Sequence, residues 1–185
     1  MPGLLMSRDE LKNLAEKPSA DVLVFSDSHG QSNFILDTIV RHPEADLALH
    51  LGDHAAMLAD LEEKSPVRMV GVAGNCDGWH GRYLPLQLLI EVAGLRIFLT
   101  HGHLHDVKRN LDNLVRGGIS MSKPADIILF GHTHVACDKT CQCQGFSVRL
   151  INPGSARAGG GHPASAALLR LRTDAVICQF ILDQV

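Results

Sequence analysis

Seven side chains of metal-ligating type stand just past short apolar runs: Asp27, His29, Asp53, Asn75, His101, His132 and His134. Carboxylate oxygen, imidazole nitrogen and one amide oxygen suit divalent cations of intermediate softness, with manganese first and iron, zinc or nickel as alternatives. No thiolate belongs to the set, which excludes a structural zinc site of the thiolate-rich kind. Seven ligands exceed what one catalytic ion with an open position can use. They suffice for two ions if one carboxylate is shared. Two ions roughly 3.5–4 Å apart form a clamp for in-line displacement at phosphorus.

The elements that must position these residues can be read from periodicity. Residues 22–25, 47–51 and 67–72 are apolar runs that end in Ser-Asp-Ser-His-Gly, Gly-Asp-His and Gly-Asn-Cys-Asp-Gly. Helical spacing over 32–42 and 55–63 (Met57, Leu58 and Leu61 on one side) separates them. Strands alternating with helices predict crossover units and a largely parallel sheet. Residues 88–92 and 95–99 read as a hairpin about Ala93-Gly94, its second strand ending in Thr-His-Gly-His. A helix over 105–116 closed by Gly117-Gly118 follows. A strand over 127–130 then ends in Gly-His-Thr-His, and 146–151, 166–172 and 176–182 complete a strand-rich second half. In open α/β sheets, sites form outside the carboxyl ends of the strands, so five such loops would converge although they span over a hundred residues.

Composition narrows the partners. The chain has 185 residues, 45% hydrophobic and 20% charged, which suits one compact domain and excludes wholesale disorder. Lys plus Arg is 17 against 20 Asp plus Glu, so no dedicated nucleic-acid binding by phosphate neutralisation is expected. Aromatics at 4% argue against a base-stacking platform. No apolar run approaches the roughly 18 residues needed to span a bilayer. The N-terminus lacks a signal-peptide pattern, and the odd count of five cysteines forms no disulfide framework. The expectation is a cytoplasmic protein with no membrane partner. Ser7 and Glu10 match a capping box, with Leu11 and Leu14 as a short apolar stripe that covers core.

Asp27-Ser28-His29, Gly52-Asp53, Gly74-Asn75-Cys76-Asp77, His101-Gly102-His103 and Gly131-His132-Thr133-His134, in this order, resemble the calcineurin-like metallophosphoesterase superfamily. The Gly-Asn-Cys-Asp motif and Asn152-Pro153-Gly154-Ser155 resemble its compact YfcE-type phosphodiesterase branch. The resemblance implies an α/β fold of mixed α+β character, a four-layer sandwich of two mixed sheets flanked by helices. Residues 1–20 then form an N-terminal helical appendage and 21–185 a single domain. It implies two divalent metal ions: one on Asp27, His29, Asp53 and His134, the other on Asp53, Asn75, His101 and His132, with Asp53 bridging. The activity implied is hydrolysis of small phosphodiesters by a hydroxide activated between the metals.

Many superfamily members carry a histidine after the motif asparagine to protonate the leaving group, and Cys76 stands there instead. A thiol is a poor acid, so the expected substrates have good leaving groups, or water or His103 supplies the proton. The reading preferred for Cys76 is packing beneath the metals. Arg157, after the Asn-Pro-Gly-Ser turn, is a candidate for a substrate phosphate, equally a solvated loop residue. Asp77 either orients a ligand or caps the following turn. His54 is expected to be solvated, His105 to begin the next helix, and His42, His50, His80 and His162 to be structural or superficial. A phosphomonoesterase is the near rival, because two metals treat both phosphoryl groups alike. A protein-interaction scaffold like the retromer subunit of the same branch is the distant rival, disfavoured because all seven ligand positions are filled. A homo-oligomer is compatible with exposed apolar hairpins.

Overall fold

The structure is a computed structural model that describes residues 6–54, 58–121 and 123–183. Helices α1 (Arg8–Ala15), α2 (Asn33–Arg41), α3 (Leu58–Lys64) and α4 (Asp112–Ile119) accompany ten strands. These are β1 (Ser19–Phe25), β2 (Leu47–His50), β3 (Met69–Gly71), β4 (Gln87–Val92), β5 (Leu95–Thr100), β6 (Ile127–Leu129), β7 (Cys137–Cys143), β8 (Phe146–Asn152), β9 (Ser165–Arg172) and β10 (Ala175–Leu182). They form two five-stranded sheets, ordered β10-β9-β1-β2-β3 and β4-β5-β6-β8-β7. Each has a parallel centre, β1-β2-β3 and β5-β6-β8, with antiparallel strands outside it.

Strand alternation explains the layering. Val22, Val24, Leu47 and Leu49 of one sheet meet Ile97, Leu99, Ile127 and Leu129 of the other in a shared inner core. The intervening residues point outward: Leu23 and Phe25 onto α2 and α3, Phe98 and Ile128 onto α4. Both sheets are thus apolar on two faces, and the sandwich of two mixed sheets flanked by helices follows. All the parallel strands run their carboxyl ends to one rim.

α1 begins with the expected capping box, Glu10 N–H donating to Ser7 Oγ at 3.2 Å and Ser7 N–H to Glu10 Oε2 at 2.7 Å. Leu14 enters the inner core, and the carbonyls of Leu14 and Ala15 accept the N–H groups of Ala93 and Gly94 at 2.9 and 3.0 Å. Ala93 and Gly94 have φ of 51° and 73°, the left-handed pair of a tight hairpin turn.

The helix expected over 105–116 differs. His103–His105 is a short 3-10 turn, and α4 starts at Asp112 and runs through both glycines to Ile119. The glycines permit close packing instead of ending the helix. A Cβ on Gly117 would lie 2.7 Å from His105 Cε1, and one on Gly118 2.4 Å from Ile128 Cδ1. Met57, expected on the buried side of the second helix, lies outside the described residues. Among the described residues no helix is long and apolar enough to cross a membrane.

Candidate metal centre

Five loops leave the carboxyl ends of β1, β2, β3, β5 and β6 and carry the residues singled out above. Asp27, His29, Asp53, His132 and His134 all adopt left-handed backbone, with φ of 54°, 45°, 61°, 66° and 60°. Such values are uncommon for residues with a Cβ, and they persist where surrounding structure over-determines them, typically at functional sites. Two glycines make the tight loops feasible. A Cβ on Gly74 would stand 2.2 Å from Asp53 Oδ1, and one on Gly131 would stand 1.9 Å from Ser26 Oγ and 2.7 Å from Asp27 Oδ2.

The loops bring the side chains together. Asp27, His29 and His134 present ligand atoms within 4.8 Å of one another, as do Asp53, His101 and His132. His134 Nε2 is 3.1 Å from Asp27 Oδ1 and 3.3 Å from His29 Nε2. His101 Nε2 is 3.4 Å from Asp53 Oδ2 and 3.2 Å from His132 Nδ1. The two groups touch: Asp53 Oδ2 is 3.9 Å from His29 Nε2, and Asp27 Oδ1 is 3.9 Å from His101 Nε2. Asn75 is exposed at the mouth, where its Nδ2 donates to Cys76 Sγ at 3.3 Å.

Neighbouring groups aim these atoms. Asp27 Oδ2 accepts from Ser26 Oγ at 2.6 Å and from the His132 N–H at 2.9 Å. Its Oδ1 is fully buried and accepts no hydrogen bond among the described residues. His101 Nδ1 donates to the Leu51 carbonyl at 2.8 Å, which leaves Nε2 facing the pocket. Asp53 Oδ1 accepts the Cys76 N–H at 2.8 Å, which leaves Oδ2 facing the histidines. An orphaned buried carboxylate oxygen beside pairs of facing imidazole nitrogens fits divalent cations.

Electrostatics agree with that arrangement. Burial pushes the Asp53 carboxyl up, but hydrogen bonds from His101 and Cys76 outweigh it and hold the group well below the usual carboxylate range. Burial opposes charge on His101, yet its bond to Asp53 and the charges of Asp27 and Asp53 raise its pKa. Burial lowers His29 and His132, so both are neutral at physiological pH, the form that ligates a metal.

Residues 21–174 match the calcineurin-like phosphoesterase superfamily domain. The chain belongs to this superfamily. It is 35% identical over 164 residues to the probable metallophosphoesterase YsnB of Bacillus subtilis, covering 86% of this chain and 89% of that protein. It is 31% identical over 155 residues to the phosphodiesterase YfcE of Escherichia coli K12, covering 79% of this chain and 76% of that protein. A crystal structure of a conserved predicted phosphoesterase from Streptococcus pneumoniae aligns with a TM-score of 0.70 at 27% identity, over 90% of this chain and 91% of that one.

The other residues of this phosphoesterase domain sort by contact. Cys76 does not pack beneath the pocket: it is exposed at the mouth, where its N–H donates to Asp53 Oδ1. Its Sγ lies within ligand reach of His29 and Asp53, but burial and the Asp53 charge push the thiol up to about 11. It therefore stays protonated and is a weak ligand. His103 forms part of the wall, its ring centroid 5.4 Å from that of His101 and 6.3 Å from that of His132, with Nδ1 buried and unbonded. His105 does not begin a helix; it bonds Gln87 Nε2 at 2.8 Å. His54 is exposed, its ring edge-on to His29 at 6.0 Å. Arg157 borders a cavity of about 440 Å³ with His29, His134 and His162.

Three supports hold the loops, and of these the roles of His50 and of the Asn-Pro-Gly-Ser turn were not evident in the sequence. Asp77 holds a ligand loop and does not cap the turn that follows it: its Oδ2 accepts the N–H of Asp53 at 2.9 Å and of Gly74 at 2.6 Å. His50, fully buried, accepts the Gly52 N–H at Nδ1 (3.2 Å) and faces Ser28 Oγ from Nε2 (3.1 Å), tying the first two ligand loops together. Asn152 donates to the Gly131 carbonyl at 2.9 Å and to Thr133 Oγ1 at 3.0 Å, and Ser155 Oγ donates to the Asp27 carbonyl at 3.0 Å. The Asn-Pro-Gly-Ser turn is thus a sixth strand-end loop that braces the others.

Proposed function

We propose that this chain hydrolyses small phosphodiesters with two divalent cations, manganese being the best match to the donor set. One ion is assigned to Asp27, His29, Asp53 and His134, the other to Asp53, Asn75, His101 and His132. The observation that carries this reading is the position of Asp53, whose Oδ2 is 3.4 Å from His101 Nε2 and 3.9 Å from His29 Nε2. A carboxylate so placed stands in one ligand group and within 3.9 Å of His29 of the other, which supports its assignment as the bridge. Bound divalent ions supply Lewis acidity at the phosphoryl oxygens and acidify water.

The chain's own residues supply the rest. The Leu51 carbonyl holds the proton of His101 on Nδ1, and Ser26 and the His132 amide keep Asp27 Oδ1 turned to the pocket. Neither Cys76, with its thiol near 11, nor His103, whose pKa burial lowers, is a ready proton donor at neutral pH. The reading therefore favours diesters whose leaving group departs as a stable anion. The named activity of YfcE supports a diester over a monoester.

Parallel assays of bis(p-nitrophenyl) phosphate and p-nitrophenyl phosphate with added manganese test this. The expected result is turnover of the diester in preference to the monoester, lost in Asp53→Asn. Preference for the monoester, or an active Asp53→Asn protein, would contradict it.

A further inference from the structure

The chain has one tryptophan and one tyrosine. Both stand on the turn that follows the β3 ligand loop, Trp79 73% and Tyr83 54% exposed. Large rings are ordinarily buried, as Phe25, Phe98 and Phe130 are here. Between the two rings lies a cation: the Arg82 guanidinium carbon is 4.0 Å from the Trp79 ring centroid and 4.5 Å from that of Tyr83. Arg82 also donates to the Tyr83 hydroxyl. The three side chains hold one another, so a planar face is prepared in advance and little rotamer freedom is lost on using it.

The turn is fixed to the candidate metal centre. The Gly81 N–H donates to the Asp77 carbonyl at 3.0 Å, and a Cβ on Gly81 would lie 2.4 Å from Asp77 Cβ. Asp77 in turn holds the Asp53 backbone through its carboxylate. Trp79 is three residues from Cys76, whose N–H bonds the Asp53 carboxylate, and three residues of chain span at most about 11 Å. That upper bound is comparable to the reach of one substituent on a phosphate held by ions beside Asp53.

We infer that Trp79, Arg82 and Tyr83 form a subsite for a planar aromatic group esterified to the scissile phosphate, a nucleobase or an aryl ring, which stacks on Trp79. Every such ring offers a π-face, and Arg82 adds a positive charge beside an anionic diester. Low aromatic content excludes an extended platform, but two rings at one turn suffice for one base. This inference rests on the proposed phosphodiesterase reading and names its substrate class.

Because Trp79 is the sole tryptophan, intrinsic fluorescence reports on this site alone. Adenosine 5′-monophosphate and phenyl phosphate, each titrated into the full chain with manganese, should quench it saturably. Ribose 5-phosphate should leave it unchanged. In kinetics, Trp79→Ala should lose about tenfold more kcat/KM on thymidine 5′-p-nitrophenyl phosphate than on glycerophosphocholine, and Trp79→Phe should restore most of the difference. Equal losses on both diesters, or no quenching by the nucleotide, would overturn the subsite. A fluorescence change with protein concentration in the absence of ligand would assign the face to a second copy and also overturn it. Failure of the wild-type chain to hydrolyse either diester would count against the phosphodiesterase reading instead, and the titration would still decide whether Trp79 stacks a base.

Discussion

The Asp77 carboxylate accepts the backbone N–H of Asp53 at 2.9 Å and thereby pins a residue whose φ is 61°. Both of its inward hydrogen bonds, to Asp53 and to Gly74, end on Oδ2. One properly placed carbonyl oxygen can therefore replace it. Asp77→Ala is expected to weaken manganese binding about 10–100-fold, and Asp77→Asn much less, as measured by calorimetric titration. Equal affinities for Asp77→Ala and the wild type would contradict a positioning role.

Gly131 has no space for a side chain, since a Cβ there would meet Ser26 Oγ at 1.9 Å and Asp27 Oδ2 at 2.7 Å. Gly131→Ala should destabilise the fold by about 1–3 kcal/mol and weaken metal binding, because the atom displaced is the one that aims Asp27. Denaturant unfolding with and without manganese measures both effects.

His50 is neutral in the fold because complete burial pushes it down from 6.5 to about 4. Between these pH values the unfolded chain binds a proton that the folded chain refuses, so stability rises with pH there and is lost on acidification. The loss at pH 4 relative to pH 7 is about 3 kcal/mol from this group. Unfolding free energies across pH 4–7 should show a flatter slope in His50→Gln than in the wild type.

Cys76 occupies the place where an acid would be useful, yet its thiol sits near 11 and its N–H makes the structural contact. Cys76→Ala should keep kcat/KM within about tenfold on a diester with a poor leaving group. A general acid contributes about 10²–10⁴-fold, so a loss of that size would restore the thiol as proton donor.

The candidate ligands were legible because their residue types recur at the ends of apolar runs, and parallel strands deliver such ends to one rim. The four-layer fold was legible only through the family resemblance: Val22–Phe25 reads as one apolar run, because Val22 and Val24 face the inner core while Leu23 and Phe25 face the helices. What sequence could not convey was backbone conformation and side-chain contact. Asp and His enter left-handed backbone more readily than most residues, but the letters alone do not say that Asp27 and His134 do so. His50 reads as one more apolar-run residue until its two ring nitrogens are seen joining two loops. Gly117-Gly118 reads as a helix stop, because the rings and methyls that crowd those positions come from His105 and Ile128, distant in pattern if not in space. The exposure of Cys76 was not legible either: its amide bonds Asp53 and its sulfur stays at the mouth, within ligand reach of Asp53 and His29.

The most direct test is a manganese titration of bis(p-nitrophenyl) phosphate hydrolysis on chelator-treated protein, followed by elemental analysis. The expected result is negligible rate without metal and full recovery near two equivalents per chain, with no recovery in Asp53→Asn. Full activity in the stripped protein, or recovery complete at one equivalent, would contradict a centre in which Asp53 serves two ions.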